Sequence, residues 1–163
     1  MTAPVVILAV GNPSRGDDAI GPLLCERLAD WLQAEGLADC FELIEDFQLN
    51  IEHALDLVGR DLVLFIDAGE GTRAPFCFQR IFPAAGMAHC SHELAPEAVL
   101  EVFRRTLHQE PPAAFVLCVR GEAFELGEPL SQAARENVEG AWACLQQLFR
   151  HPDRESWEGQ ATP

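Results

Sequence analysis

Two hydrophobic periods alternate along the chain. Pro4–Val10 (PVVILAV) is an unbroken apolar run rich in β-branched residues, the pattern of a strand buried on both faces. From Asp18 the period changes: Ile20, Leu23, Leu24, Leu28, Trp31 and Leu32 share one helical face that ends near Gly36, with Pro22 in its first turns. Cys40–Ile44 (CFELI) reads as a second strand, Ile51–Val58 as a short helix, and Asp61–Asp67 (DLVLFID) as a third strand. Phe76–Phe82 (FCFQRIF) follows without an intervening helix, so it is expected to join an edge of the sheet antiparallel. Pro96 opens a helix with Val99, Leu100, Phe103 and Leu107 on one face, Ala113–Val119 (AAFVLCV) is a last central strand, and Ser131 caps a helix that buries Val138, Trp142, Leu145 and Phe149. Strands separated by helices require right-handed crossovers with helices on both faces. The expected fold is α/β, a three-layer αβα arrangement around a mostly parallel twisted sheet of about five strands with one antiparallel edge strand. The domain is expected over 1–150 without repeat or linker, and His151–Pro163 (HPDRESWEGQATP), which lacks periodicity, is expected to be a mobile tail.

Composition narrows the partners. The 163 residues, 48% hydrophobic and 23% charged, fall in the range of one ordinary globular domain and exclude collagen, disorder and repeat arrays. Eleven Lys and Arg against 26 Asp and Glu give a formal charge of −15, which repels a phosphate backbone or an anionic membrane surface. Nucleic acid and membrane are therefore not expected partners. No apolar run reaches the roughly 18 residues of a spanning helix, and Met1–Ile7 enters a strand without a charged leader. A cytoplasmic location is expected. Six cysteines, at 25, 40, 77, 90, 118 and 144, form no Cys-x-x-Cys pair, so neither a zinc clip nor thioredoxin-type exchange is indicated. Cys25, Cys118 and Cys144 sit in apolar stretches and read as core packing. Cys90 stands apart, two residues from His92.

In an open parallel sheet, ligands bind outside the carboxyl ends of the strands. The first such connection is Gly11-Asn12-Pro13-Ser14-Arg15-Gly16-Asp17-Asp18-Ala19-Ile20-Gly21. It has neither Gly-x-Gly-x-x-Gly spacing nor Gly-Lys-Ser/Thr, and its two acids would repel a phosphate. Acids at a helix start cap orphan amides, which is the plainer reading of Asp17; one cap suffices, leaving Asp18 for other work. Asp67 ends a buried strand, where a carboxylate either binds loop amides or a cation. His92 precedes the Pro96 helix in a connection expected to return over the same rim. Asp18, Asp67 and His92 together offer two carboxylates and an imidazole, a set suited to zinc, nickel or manganese with open positions for substrate. His89 is a rival for the imidazole. His53, in the short second helix, and His108 read as surface residues, and His151 as part of the tail. There is no Gly-x-Ser-x-Gly elbow for a serine hydrolase and no Asp-Thr-Gly-like loop for an aspartic-protease dyad.

GNPSRGDDAIGP after the first strand, LFIDAG at the end of the third and SHELAPEAVL before the third helix resemble the hydrogenase maturation endopeptidases over roughly residues 5–149. These enzymes clip a short C-terminal extension from the precursor of a nickel-iron hydrogenase large subunit once nickel is loaded. The resemblance implies that Asp18, Asp67 and His92 are the metal ligands, with nickel supplied by the substrate precursor; other divalent metals could occupy the site. Catalytic residues are then sought among Asp18, Asp67 and Asp17: either the metal polarises the carbonyl and activates water, or a rim acid such as Asp17 acts as general base. Many members carry Gly-Gly-Thr after the second strand. This chain instead reads Glu45-Asp46-Phe47-Gln48-Leu49-Asn50-Ile51-Glu52-His53-Ala54-Leu55, which resembles the subgroup serving NAD-linked bidirectional hydrogenases and makes Asp46 and Gln48 candidate substrate contacts. Two alternatives remain on the residues alone, a non-cleaving nickel-site assembly chaperone and a metal-dependent hydrolase of small molecules.

Overall fold

The computed structural model describes residues 2–85 and 94–162. Five strands form one sheet, β1 (Val5–Val10), β2 (Phe41–Asp46), β3 (Leu62–Glu70), β4 (Phe76–Ile81) and β5 (Ala113–Gly121), in the order β2-β1-β3-β5-β4. All neighbours are parallel except β4, which runs antiparallel to β5 at the edge. The α/β class and the antiparallel edge strand are as the periodicity indicates.

The continuous apolar run of β1 has a direct structural reason. Side chains alternate across a strand, so Val5, Ile7 and Ala9 enter one core layer while Val6, Leu8 and Val10 enter the other. The first layer is closed by helices α1 (Ile20–Ala34) and α3 (Gln132–Arg150), which contribute Leu24, Leu28, Trp142 and Leu145. The second is closed by a 3₁₀ helix, Ile51–Leu57, and by α2 (Pro96–Leu107), through Leu57, Val99, Leu100 and Phe103. Pro22 lies in the first turn of α1, where the missing N–H has no intrahelical acceptor to lose. Ser131 caps α3, its side chain accepting from the Ala134 amide at 3.1 Å.

The expected mobile tail is corrected by the structure. Arg154–Gln160 forms a helix, α4, capped by Asp153, whose Oδ1 accepts from the Ser156 amide at 2.8 Å. Trp157 at its centre is 0% exposed. Its ring stacks on Phe149 at 6.1 Å between centroids and meets Phe115 edge-on at 5.4 Å, while Nε1 donates to the Leu148 carbonyl at 2.8 Å. The Thr162 amide donates to the Phe78 carbonyl, binding this end of the chain to β4. One aromatic side chain carries no periodicity, so a seven-residue helix that docks through one tryptophan is invisible to a pattern search. Among the described residues no helix is long and apolar enough to cross a membrane.

Trp157→Ala is expected to lower unfolding stability by about 3–5 kcal/mol, the cost of truncating a fully buried aromatic. Urea denaturation measures it; a loss under about 0.5 kcal/mol, typical of an exposed position, would contradict this docking.

Candidate functional site

The loop after β1 folds back on itself, and glycine is what allows it. Gly11 has φ +147°, and a Cβ there would stand 2.0 Å from the Asp18 carbonyl oxygen. Gly16 has φ +57°, and its Cβ would stand 2.4 Å from the Ala123 carbonyl oxygen, in the connection between β5 and α3. The Asn12 amide donates to Asp18 Oδ2 at 2.7 Å, and the Ser14 amide to Asn12 Oδ1 at 2.9 Å. Asp18 is thus set on a short 3₁₀ helix, Gly16–Ala19, which packs on β3. Asp67 lies on β3 beside Cys118 of β5, one residue beyond the Ile66–Ala9 pairing, level with the end of β1. Its Oδ1 accepts from the Ala68 amide at 2.8 Å. Asp18 and Asp67 therefore meet the same rim of the sheet from neighbouring connections. His92, like His89 and Cys90, lies outside the described residues. Among the described residues no three His, Cys, Asp or Glu side chains are grouped to hold a metal ion.

Asp17 behaves differently from its neighbour. It is 0% exposed. Its Oδ2 accepts from the Glu122 amide (2.7 Å), the Ala123 amide (3.0 Å) and the Ser131 hydroxyl (2.7 Å), and its Oδ1 from the Ser131 amide (2.7 Å). Burial pushes this carboxyl up, but the amides of Ser131, Ala123 and Glu122 and the Ser131 hydroxyl outweigh it and hold Asp17 below the usual carboxylate range. A general base needs an accessible lone pair near the reacting water. The general-base reading of Asp17 is therefore corrected: it is the tie between the first loop and the start of α3, the capping role extended to a distant segment.

A third connection reaches the rim from β2. The Asp46 carbonyl accepts from the Gly11 amide at 3.1 Å, so β2 and the first loop leave the sheet together. The Asp46 carboxylate accepts from the Phe47 amide at 2.7 Å and lies 3.3 Å from His53 Nε2. Gln48 is exposed beside it. His53 is only 5% exposed, which corrects its reading as a surface residue. Its Nδ1 accepts from the Asn50 amide at 2.9 Å while Asn50 Oδ1 accepts from the Glu52 amide at 3.0 Å, a capping box with histidine in place of the usual Glu or Gln. The Asn50-x-x-His53 spacing is the signal that could have found it. His108 and His151 are exposed, as expected.

The cysteines near this framework are packed rather than reactive. Burial pushes the Cys25 thiol up to about 11, with the Glu45 charge adding to it, and burial alone does the same for Cys144. Cys118, beside Asp67, is raised by burial and by the charges of Asp67 and Cys77, partly offset by the Thr72 hydroxyl at 3.2 Å. The rim itself is acidic: an open cleft of about 500 Å³ at the ends of β3 and β5 is lined by Glu70, Glu122, Glu125 and Glu128. Such a surface attracts cations and rejects phosphates.

No protein-family model and no curated protein matches the chain. Solved structures do. The NiFe hydrogenase maturation protease HycI from Thermococcus kodakarensis KOD1 is 23% identical, with 92% of this chain and 94% of that one covered and a TM-score of 0.66. The hydrogenase maturating endopeptidase HybD from E. coli is 20% identical over 91% of this chain and 93% of that one, with a TM-score of 0.68. A hydrogenase 3 maturation protease is 19% identical over 98% and 96%, with a TM-score of 0.65. The chain shares its fold with these hydrogenase maturation endopeptidases.

Two outcomes follow from the site. Asp17→Asn places an amide N–H among donors and is expected to cost about 2–4 kcal/mol at neutral pH. The folded Asp17 carboxyl titrates below its unfolded value, so its contribution is complete above about pH 4 and fades as pH falls through the folded value. Denaturant unfolding across that range should show the gap between wild type and variant narrowing toward acid. In native protein at neutral pH, iodoacetamide should label the exposed Cys40 while Cys25 and Cys144 resist until the chain unfolds; peptide mass mapping reads both.

Proposed function

We propose that the chain is an endopeptidase that removes a C-terminal extension from the precursor of a nickel-iron hydrogenase large subunit after nickel insertion. The observation that supports this reading is that Asp18 and Asp67 stand at the same end of the sheet, in a fold shared with hydrogenase maturation endopeptidases. A nickel ion already held by thiolates of the substrate needs only a few further ligands to dock, and carboxylates are among the ligands it accepts. Asp18 and Asp67 are assigned this role, with His92 as the third ligand on the strength of the sequence motif. Docking then depends on the metal, so the enzyme reads whether the precursor is loaded. An open face suits a folded protein substrate better than a small molecule, which is normally enclosed.

Nickel bound by the substrate and reached by Asp18, Asp67 and His92 would supply Lewis acidity to the scissile carbonyl or to water, and a rim carboxylate would serve as general base where it does not. Asp17 is saturated by four donors, so the proton is assigned to Asp18 or Asp67. Asp46 and Gln48 are assigned to contact the precursor, and the Glu45–Leu55 segment is assigned to direct the enzyme to the precursor of an NAD-linked bidirectional hydrogenase in the cytoplasm.

The test is to incubate purified protein with nickel-loaded precursor and weigh the product. Wild type should shorten the precursor and leave nickel-free precursor intact. Asp18→Asn and Asp67→Asn should each slow cleavage by about 100-fold or more, with the melting temperature within about 2 °C of wild type. An unchanged precursor mass would turn the reading toward a chaperone, and equal cleavage of metal-free precursor would remove nickel from the mechanism.

A further inference from the structure

β2 is an edge strand, and the segment that leaves it has no second strand to hold it. Phe47 is 65% exposed there, and no packing need of the fold places an aromatic ring in water at this point. The segment is nevertheless anchored at both ends. Behind Phe47 and Gln48, Leu49 is 5% exposed within the second core layer. In front, the Asp46 carboxylate accepts from the Phe47 amide and faces the His53 ring at 3.3 Å. One imidazole joins the two anchors. Its Nδ1 accepts from the Asn50 amide and so carries no proton; the ring hydrogen is therefore on Nε2, the atom 3.3 Å from Asp46 Oδ2. In this tautomer a single buried side chain accepts from Asn50 through one nitrogen and turns the other, Nε2–H, toward the Asp46 carboxylate at 3.3 Å. The opposite tautomer would set two N–H groups against each other at Asn50.

From this geometry we infer that His53 is a positioning residue for substrate recognition: it orients the Asp46 carboxylate and holds Phe47 and Gln48 out at the rim as a preformed contact for the precursor polypeptide. The inference rests on the proposed protease reading and assigns its specificity to a residue that touches no substrate. A carboxylate with acceptor capacity to spare, an exposed ring and an amide side chain suit a segment that presents N–H donors beside apolar groups. Pre-ordering the tip lowers the conformational cost of binding, so His53 acts on substrate affinity rather than on bond cleavage.

His53→Phe keeps a ring of similar shape and removes both nitrogens; His53→Gln restores an acceptor for Asn50 and an N–H directed toward Asp46. Hydrogen exchange and processing kinetics are measured on the full chain with nickel-loaded precursor. In His53→Phe, amide exchange at Phe47 and Asn50 is expected to quicken about tenfold or more, and KM to rise about five- to tenfold with kcat within about twofold. His53→Gln should return exchange and KM to within about twofold of wild type. Asp46→Asn, at an exposed position that tolerates substitution, should raise KM in the same way and serves if His53→Phe fails to fold. A wild-type KM in His53→Phe or Asp46→Asn, a loss in kcat with KM unchanged, or failure of glutamine to rescue overturns the inference. If wild-type protein leaves the precursor whole, the protease reading falls. The same variants then decide His53 by exchange and by precursor Kd, where unchanged values overturn its role.

Discussion

Three backbone amides and one hydroxyl converge on the carboxylate of Asp17, and the placement of the rim follows from that convergence. An ionised carboxylate withdrawn from water costs several kcal/mol unless its lone pairs are satisfied. The first loop is stable only where all these donors are within reach, which means only where it closes on the β5–α3 connection. Ser131 serves both sides of the tie. Its hydroxyl donates to Asp17 and accepts from the Ala134 amide, so the cap of α3 and the entry to α1 share one oxygen. Asp18 is the next residue in the chain, and its position relative to β3 depends on this tie together with its own bond from the Asn12 amide.

The two adjacent acids of the first loop are alike in sequence and differ in how many donors each receives. Asp17 takes four and is shut away; Asp18, half-buried, accepts from the Asn12 amide. Donor number decides what a carboxylate can do next. A saturated one titrates low and holds structure, while one with remaining lone pairs can meet a cation from outside. The cleft lined by Glu70, Glu122, Glu125 and Glu128 at the ends of β3 and β5 adds to the negative potential. In the proposed reaction that potential favours a metal-bearing protein face and disfavours nucleotides and nucleic acid, in agreement with the −15 formal charge of the chain.

Most of the sheet is legible in the sequence because burial on two faces leaves a continuous signature, as in Val5–Val10 and Leu62–Ile66. The antiparallel placement of Phe76–Ile81 is legible from the missing crossover helix. Asp18 and Asp67 can be picked out because each stands at the carboxyl end of an apolar strand or in the loop after it. What is not legible depends on single long-range contacts. Nothing local to Asp17 announces that its partners are 105 to 114 residues away. Trp157 lies in a polar segment, and only its fit against Phe115 and Phe149 makes that segment a helix. His53 reads as a surface residue because a helix of seven residues gives too few turns to define a buried face. His92, the third member of the set read from the motifs, lies outside the described residues.

The two edges of the sheet are protected by different means, and the difference bears on where recognition can occur. At β4, the Thr162 amide occupies the Phe78 carbonyl and Arg80 pairs with Glu158 of α4, so the end of the chain ties down part of this edge. At β2, protection comes from charge: Glu42, Glu45 and Asp46 are exposed along a six-residue strand, with Glu42 paired to Arg60. Short length and acidic side chains discourage pairing by a foreign strand, yet they leave the end of β2 open to solvent. A contact surface built there has to come from the segment beyond the strand rather than from the strand backbone. That segment is the one His53 braces, so the edge that is left uncovered is also the one whose exit is held in a fixed shape.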